Sequence, residues 1–236
     1  MVKKTGNRDK IDRAKMSAGL EKGFRNFLDE KTEEELERLE EYNTAIENKF
    51  IQDKTVLSKS YDKKFVNKKL PSEIEYMLGE QLTSEYYIID NLFLKTFRYS
   101  MIVTIYSLIE MELNYLCRYL CHTKQLVLTL DEVRGDGIER AKVYLSKVCD
   151  VNFPDTNEWN EITKLNKIRN CIVHAQGDTD GANSPAKIKN IVKNTSSISL
   201  ESDRFIRIET IYINTILTKT KKFFKDIYKK SFEKLG

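Results

Sequence analysis

The sequence predicts an all-α protein, and three observations carry that prediction. Charged residues make up 32% of the 236 positions and apolar ones 40%, with only 9 Gly and 3 Pro, a balance that suits long solvated helices better than turn-rich sandwiches or barrels. Apolar residues recur at intervals of three and four along most of the chain. β-prone runs are confined to two short pieces late in the sequence.

From Leu20 to Phe50 the apolar positions Leu20, Phe24, Phe27, Leu28, Leu36, Leu39, Ile46 and Phe50 surround the acidic run Glu33, Glu34, Glu35 and Glu37, which predicts an amphipathic helix or a helical pair. Thr55 to Lys69 is basic, polar and poorly periodic. Pro71 then precedes Ser72-x-x-Glu75, which has the form of a capping box opening a short helix that stops near Gly79. This sets the expected boundary between an N-terminal helical extension, 1–80, and the main helical domain, 81–236. From about Ser84 to His122 a broad stripe running from Tyr86 to Leu120 predicts the central buried helix.

Arg134-Gly135-Asp136-Gly137 breaks the chain, and Ile138 to Val148 resumes as a short helix with Asp136 as its cap. Pro154 and Asp155 launch another helix, from about Thr156 to Ala175, closed by Gly177. Residues 176–195 are rich in Gly, Asn, Asp, Ser and Thr and include Pro185, so they read as an exposed loop with at most one helical turn. Ile198 to Leu200 and Phe205 to Ile208, separated by Glu-Ser-Asp, fit a small β-hairpin. Glu209 to Lys234 ends the chain as a helix.

No stretch of about 18 uncharged apolar residues exists, and MVKKTGNRDK lacks the apolar segment of a secretory signal, so a cytoplasmic protein without a membrane partner is expected. The cysteines Cys117, Cys121, Cys149 and Cys171 are too few for a disulfide framework, which fits a reducing compartment. Cys117, Cys121 and His122 have helical spacing suited to a shared ion, but a fourth ligand at useful spacing is lacking. No metal and no cofactor are expected, and the cysteines read as small buried hydrophobes.

The net charge of +4 divides unevenly: 17 basic and 17 acidic residues in 1–80, 11 and 14 in 81–180, and 12 and 5 in 181–236, so the last segment alone is +7. Lys221, Lys222 and Lys225 on the closing helix are candidate RNA contacts, although a solvated helix face accounts for them almost as well. Trp159, Phe223, Phe224, Tyr228 and Phe232 have the means to stack bases, but their helical spacing reads as core packing.

Candidate chemistry sits in Arg169-Asn170-Cys171-Ile172-Val173-His174. At about 100° per residue Asn170 and His174 lie about 40° apart, one turn from each other, while Arg169 and His174 are about 140° apart. A bland alternative stays open, because a helix dipole favours a cation near its C-terminus. With 11 Arg, 16 Asn and 2 His in 236 residues, 2 × (11/236) × (16/236) puts a chance Arg-Asn-x3-His below about 1%.

This string resembles the motif of the HEPN superfamily of all-helical ribonucleases: Arg, a polar residue that is often Asn, three or more residues, then His. The element order is similar as well, with an apolar helix carrying Tyr106-Ser-Leu-Ile-Glu110, the motif helix, a polar loop, a short β-prone piece and a closing helix. The resemblance covers roughly residues 82–235 and leaves 1–80 unexplained. It implies a HEPN-like helical bundle and metal-independent endoribonuclease activity, in which the ribose 2′-hydroxyl attacks the adjacent phosphorus and leaves a 2′,3′-cyclic phosphate.

In that reading His174 moves a proton, Arg169 holds the phosphate, and Asn170 hydrogen-bonds the phosphate or holds the His174 ring. Glu110, which shares a helical side with Tyr106 and Asn114, would in that reading pair with Arg169 and orient it; a structural ion pair with any nearby basic residue is the open alternative, and Glu112 reads from the sequence as pointing to solvent. The resemblance also implies a homodimer whose two motifs face one cleft, in a toxin–antitoxin or antiviral defence setting with an antitoxin or defence-system partner. Two residues after the histidine stands Gln176, where HEPN toxins silenced by a nucleotidyltransferase carry Tyr, so control by tyrosine modification there is not expected. The competing reading is a catalytically silent module that binds RNA or protein.

Overall fold

In the computed structural model, which describes residues 5–65 and 70–233, the chain is predominantly helical with a two-stranded antiparallel sheet. Helix α1, Thr5–Phe65, is one helix of 61 residues. It continues through the first part of the basic stretch read as aperiodic, because no proline interrupts it and Lys63 and Lys64 meet the negative end of its dipole. Residues 66–69, the side chain of Leu20 and the predicted end of the closing helix at Lys234 lie outside the described residues.

Helix α2, Ser72–Tyr87, starts where expected but without the capping box: Pro71 holds the cap position and no side chain bonds there. Gly79 does not stop it, since one glycine costs a helix only about 1 kcal/mol. A π-helical turn, Ile88–Leu94, then joins α2 to α3, Lys95–Thr123. By length and composition this continuous Ser72–Thr123 helix is apolar enough to cross a membrane, with 44% of its most apolar window buried in the protein; core helices meet the same measure.

Helix α4, Gly137–Lys147, and helix α5, Asn157–Ala175, follow the predicted order, although the Asp136 side chain makes no capping bond. Residues 176–195 are not a loop throughout. They contain α6, Pro185–Lys193, where Pro185 is pre-set for the first turn and Ile188 and Val192, one turn apart, are buried. Strands β1, Ile198–Glu201, and β2, Phe205–Ile208, form the expected hairpin with Ile198 opposite Ile208, and α7, Thr210–Phe232, ends the described chain.

The chain divides into two discontinuous compact units, residues 1–37, 105–164 and 216–236 in the first and 38–104 and 165–215 in the second, and the expected boundary at residue 80 falls inside α2. In the first unit Leu28 and Leu36 of α1, Ile109 and Leu113 of α3, and Phe224 of α7 are buried. Trp159, Phe223, Phe224, Tyr228 and Phe232 are buried, as their spacing predicted, and the half-buried Phe153 ring packs on Trp159 and Phe223 with centroids 4.8 and 5.8 Å away. Cys117 is buried with its thiol toward the Ala141 carbonyl oxygen, and Cys121 points to those of Leu126 and Leu128.

Glu112 does not point to solvent. It is fully buried, accepting from Lys31 Nζ at 2.5 Å, from the Tyr228 hydroxyl at 3.1 Å and from Thr32 at 3.4 Å. In the second unit the buried Arg98 forks onto Glu47 at 2.7 and 3.0 Å and donates to the Ile208 carbonyl oxygen at 2.8 Å, tying α1, α3 and β2 together.

Candidate functional site

Helix α5 presents the motif. Leu165, Ile168 and Ile172 are buried on one side, which turns Asn170 and His174 outward, and both are exposed. Gln176 and Gly177, with φ of 53° and 78°, end the helix in left-handed conformation, and the Gly177 amide donates back to the Cys171 carbonyl oxygen at 3.2 Å. The following segment docks on β2: Ile206 donates its amide to the Gly177 oxygen at 2.9 Å, and Thr179 donates its own to the Arg204 oxygen at 3.0 Å. Tyr99 secures the same corner by donating its hydroxyl to the Ile206 carbonyl oxygen at 2.5 Å, and burial pushes that hydroxyl above the ordinary tyrosine range.

These contacts place α5 beside the 181–188 segment, and a cleft of about 260 Å³ opens between them. Lys167, Asn170 and His174 line it from α5, and Asn183, Ser184 and Lys187 from the facing side. The lining holds no carboxylate among the described residues, so its charge is positive. Cys171 also lines it, but burial pushes its thiol up to about 11, too high for a nucleophilic thiolate near neutrality.

Arg169 is half-buried and donates from Nη1 to Asn170 Oδ1 at 2.8 Å, while Asn170 donates from Nδ2 to Asn166 Oδ1 at 3.2 Å. The Asn170 side chain is thus engaged with Arg169 and Asn166. Sequence reasoning passed over Lys167 and Lys187. Lys167, Asn170 and His174 stand at i, i+3 and i+7, so the first lysine was readable from helical spacing; the second depended on recognising α6.

Arg169, Asn170 and His174 belong to the second unit, and Glu110, Lys221, Lys222 and Lys225 to the first. Glu110 and Tyr106 flank the start of α4: a Cβ placed on Gly137 would lie 2.7 Å from the Tyr106 hydroxyl and 3.5 Å from Glu110 Oε1. A carboxylate beside a helix N-terminus is favoured by the helix dipole. Lys221 approaches Glu37 at 3.6 Å, and the three lysines share a cavity of about 330 Å³ with Asp29 and Glu33. No protein-family model, curated protein or solved structure matches this chain.

Proposed function

We propose that the protein is a metal-independent endoribonuclease with a HEPN-like bundle, acting in the cytoplasm in a toxin–antitoxin or antiviral defence setting. The observation that carries this reading is the convergence of His174, Asn170, Lys167 and Lys187 on one positive cleft, with Arg169 bonded to Asn170 at its edge. An RNA phosphodiester needs a group to move the proton of the attacking 2′-hydroxyl and fixed positive charge for the pentacoordinate phosphate. His174 supplies the first, its imidazole being able both to take up and to give a proton, and Arg169 with the two lysines supplies the second.

Cleavage by general acid–base catalysis uses two proton-transfer groups, and one chain offers a single His174. A homodimer resolves this, with His174 of the partner subunit as the second group. In this reading an antitoxin or defence protein controls the enzyme.

Incubating the purified protein with total RNA in EDTA tests the reading. Products should carry 2′,3′-cyclic phosphate and 5′-hydroxyl ends, and DNA, which lacks the nucleophile, should survive. Cleavage only with added magnesium would replace the mechanism. RNA binding without cleavage would favour the silent module.

A further inference from the structure

The second half of α1 and helix α2 form a helical hairpin in the second unit. Its inner side is packed: Leu57, Tyr61, Leu78 and Leu82 line one small cavity of about 140 Å³, Tyr86 donates to the Lys54 carbonyl oxygen at 3.2 Å, and Lys54 pairs with Asp90 at 2.8 Å. Its outer side is not covered by any of the described residues. Helix α2 contains no buried residue. Val56, Tyr76, Met77, Tyr87, Leu92 and Phe93 are each more than half exposed, a concentration of apolar surface that marks a binding face.

The charges around this surface are segregated. Residues 54–65 carry Lys54, Lys59, Lys63 and Lys64 against Asp62, a net of 4 − 1 = +3, whereas 72–94 carry Glu73, Glu75, Glu80, Glu85 and Asp90 with no Lys or Arg, a net of −5. Val56, Lys59 and Lys63 share one face of α1 at i, i+3 and i+7; Glu73, Tyr76 or Met77, and Glu80 share one face of α2 with the same spacing. Lys59, Lys63, Glu73 and Glu80 are exposed and make no ion pair among the described residues. The α2 face thus presents Tyr76 and Met77 between two glutamates, and the α1 face presents Val56 followed by two lysines, so the two are opposite in charge.

We propose that this hairpin is the interface with a second copy of the chain, the outer face of α2 packing on the outer face of the α1 end of its partner. Two-fold symmetry makes the contact twice, so both apolar faces are covered and both charge sets are matched. The charge argues against a membrane as the occupant, because an acidic face is repelled by anionic lipid. The inference stands independently of any role for His174.

Sedimentation of the full chain over about 1 to 100 µM tests it, at an ionic strength of about 0.15 M where exposed charges still act over roughly 8 Å. Wild type should dimerise. Glu73→Lys/Glu80→Lys and Lys59→Glu/Lys63→Glu should each weaken the dimer at least about tenfold with unchanged helical circular dichroism, and an equimolar mixture of the two should recover a heterodimer of near wild-type affinity. A wild type that stays monomeric, a dimer indifferent to both variants, or a mixture that does not recover would overturn the interface. So would flotation of the monomer with neutral phosphatidylcholine vesicles, which would give the face to lipid.

Discussion

Arg169 donates from Nη1 to Asn170 Oδ1 across 2.8 Å. Neighbours on a helix lie about 100° apart, so this bond draws the guanidinium off its own flank toward the side that Asn170 shares with His174. The angular separation that sets Arg169 apart from His174 is thereby reduced by the side chain's own reach. Asn170 thus accepts from Arg169 through its oxygen and gives one amide N–H to Asn166, leaving its second N–H for the cleft.

On the nuclease reading, His174→Ala and Arg169→Ala each lower cleavage by about 100-fold or more while leaving helical content unchanged. Asn170→Asp keeps an acceptor for Arg169 but adds a negative charge beside the phosphate, so cleavage falls at least about tenfold with binding weakened as well. Rates on a fluorescent oligoribonucleotide measure all three. Wild-type turnover by His174→Ala would remove this site from the chemistry.

Gly177 combines a φ of 78° with a hydroxyl where a Cβ would go, that of Tyr99. Gly177→Ala should therefore cost about 1 to 3 kcal/mol in urea unfolding, and Tyr99→Phe in the same chain should restore part of it. Gly79 has nothing within 4 Å of its would-be Cβ and ordinary helical φ, so Gly79→Ala should instead stabilise by about 0.5 to 1 kcal/mol. Equal effects at the two sites would mean that the corner after α5 is looser than its geometry.

Glu112 is held by Lys31, Thr32 and Tyr228, from two other helices. Removing one partner of a buried ion pair leaves an uncompensated charge or orphaned donors, so Glu112→Ala should destabilise by about 3 kcal/mol, a value discounted for the part-exposed ammonium of Lys31. Equilibrium denaturation of the variant decides it, and a loss under about 1 kcal/mol would make the network incidental.

Helical class, the hairpin and the course of α5 were legible because they rest on local periodicity and turn chemistry. Glu112 was not, since its partners lie 80, 81 and 116 positions away and nothing on its own helix marks it as the buried member of the Glu110, Glu112 pair. α6 was obscured by composition: Ile188 and Val192 give only two apolar positions among polar neighbours, and tertiary packing supplies the rest. Within the cleft, Asn170 and His174 followed from spacing, whereas the wall carrying Asn183 and Lys187 comes from the fold.

Lys221, Lys222 and Lys225 share their cavity with Asp29 and Glu33, and those carboxylates compete with any phosphate. Charge reversal at the three lysines should weaken RNA binding and reduce the slope of log K against log salt by about 1 for each lysine that meets a phosphate. Glu33→Gln should act the other way and tighten binding. A salt slope unmoved by the lysine changes would make them a solvated face.

Arg204 grips Asp178 through two hydrogen bonds, 2.8 Å from Nε and 2.5 Å from Nη2, and chiefly for that reason the Asp178 carboxyl is held down at about 2, against 3.8 ordinarily. A carboxyl that is easier to ionise in the folded protein than in the unfolded chain stabilises the fold above its ordinary value. That contribution is complete above about pH 4 and is lost as the pH falls through about 2. The pair ties the segment after α5 to β2, next to the cleft, so its protonation should loosen that corner first. Following the Asp178 carboxyl carbon by NMR should give a midpoint near 2 in wild type and a clearly higher one in Arg204→Gln, where the Asp180 amide still donates to the carboxylate; equal midpoints in the two proteins would show that Arg204 does not hold the loop.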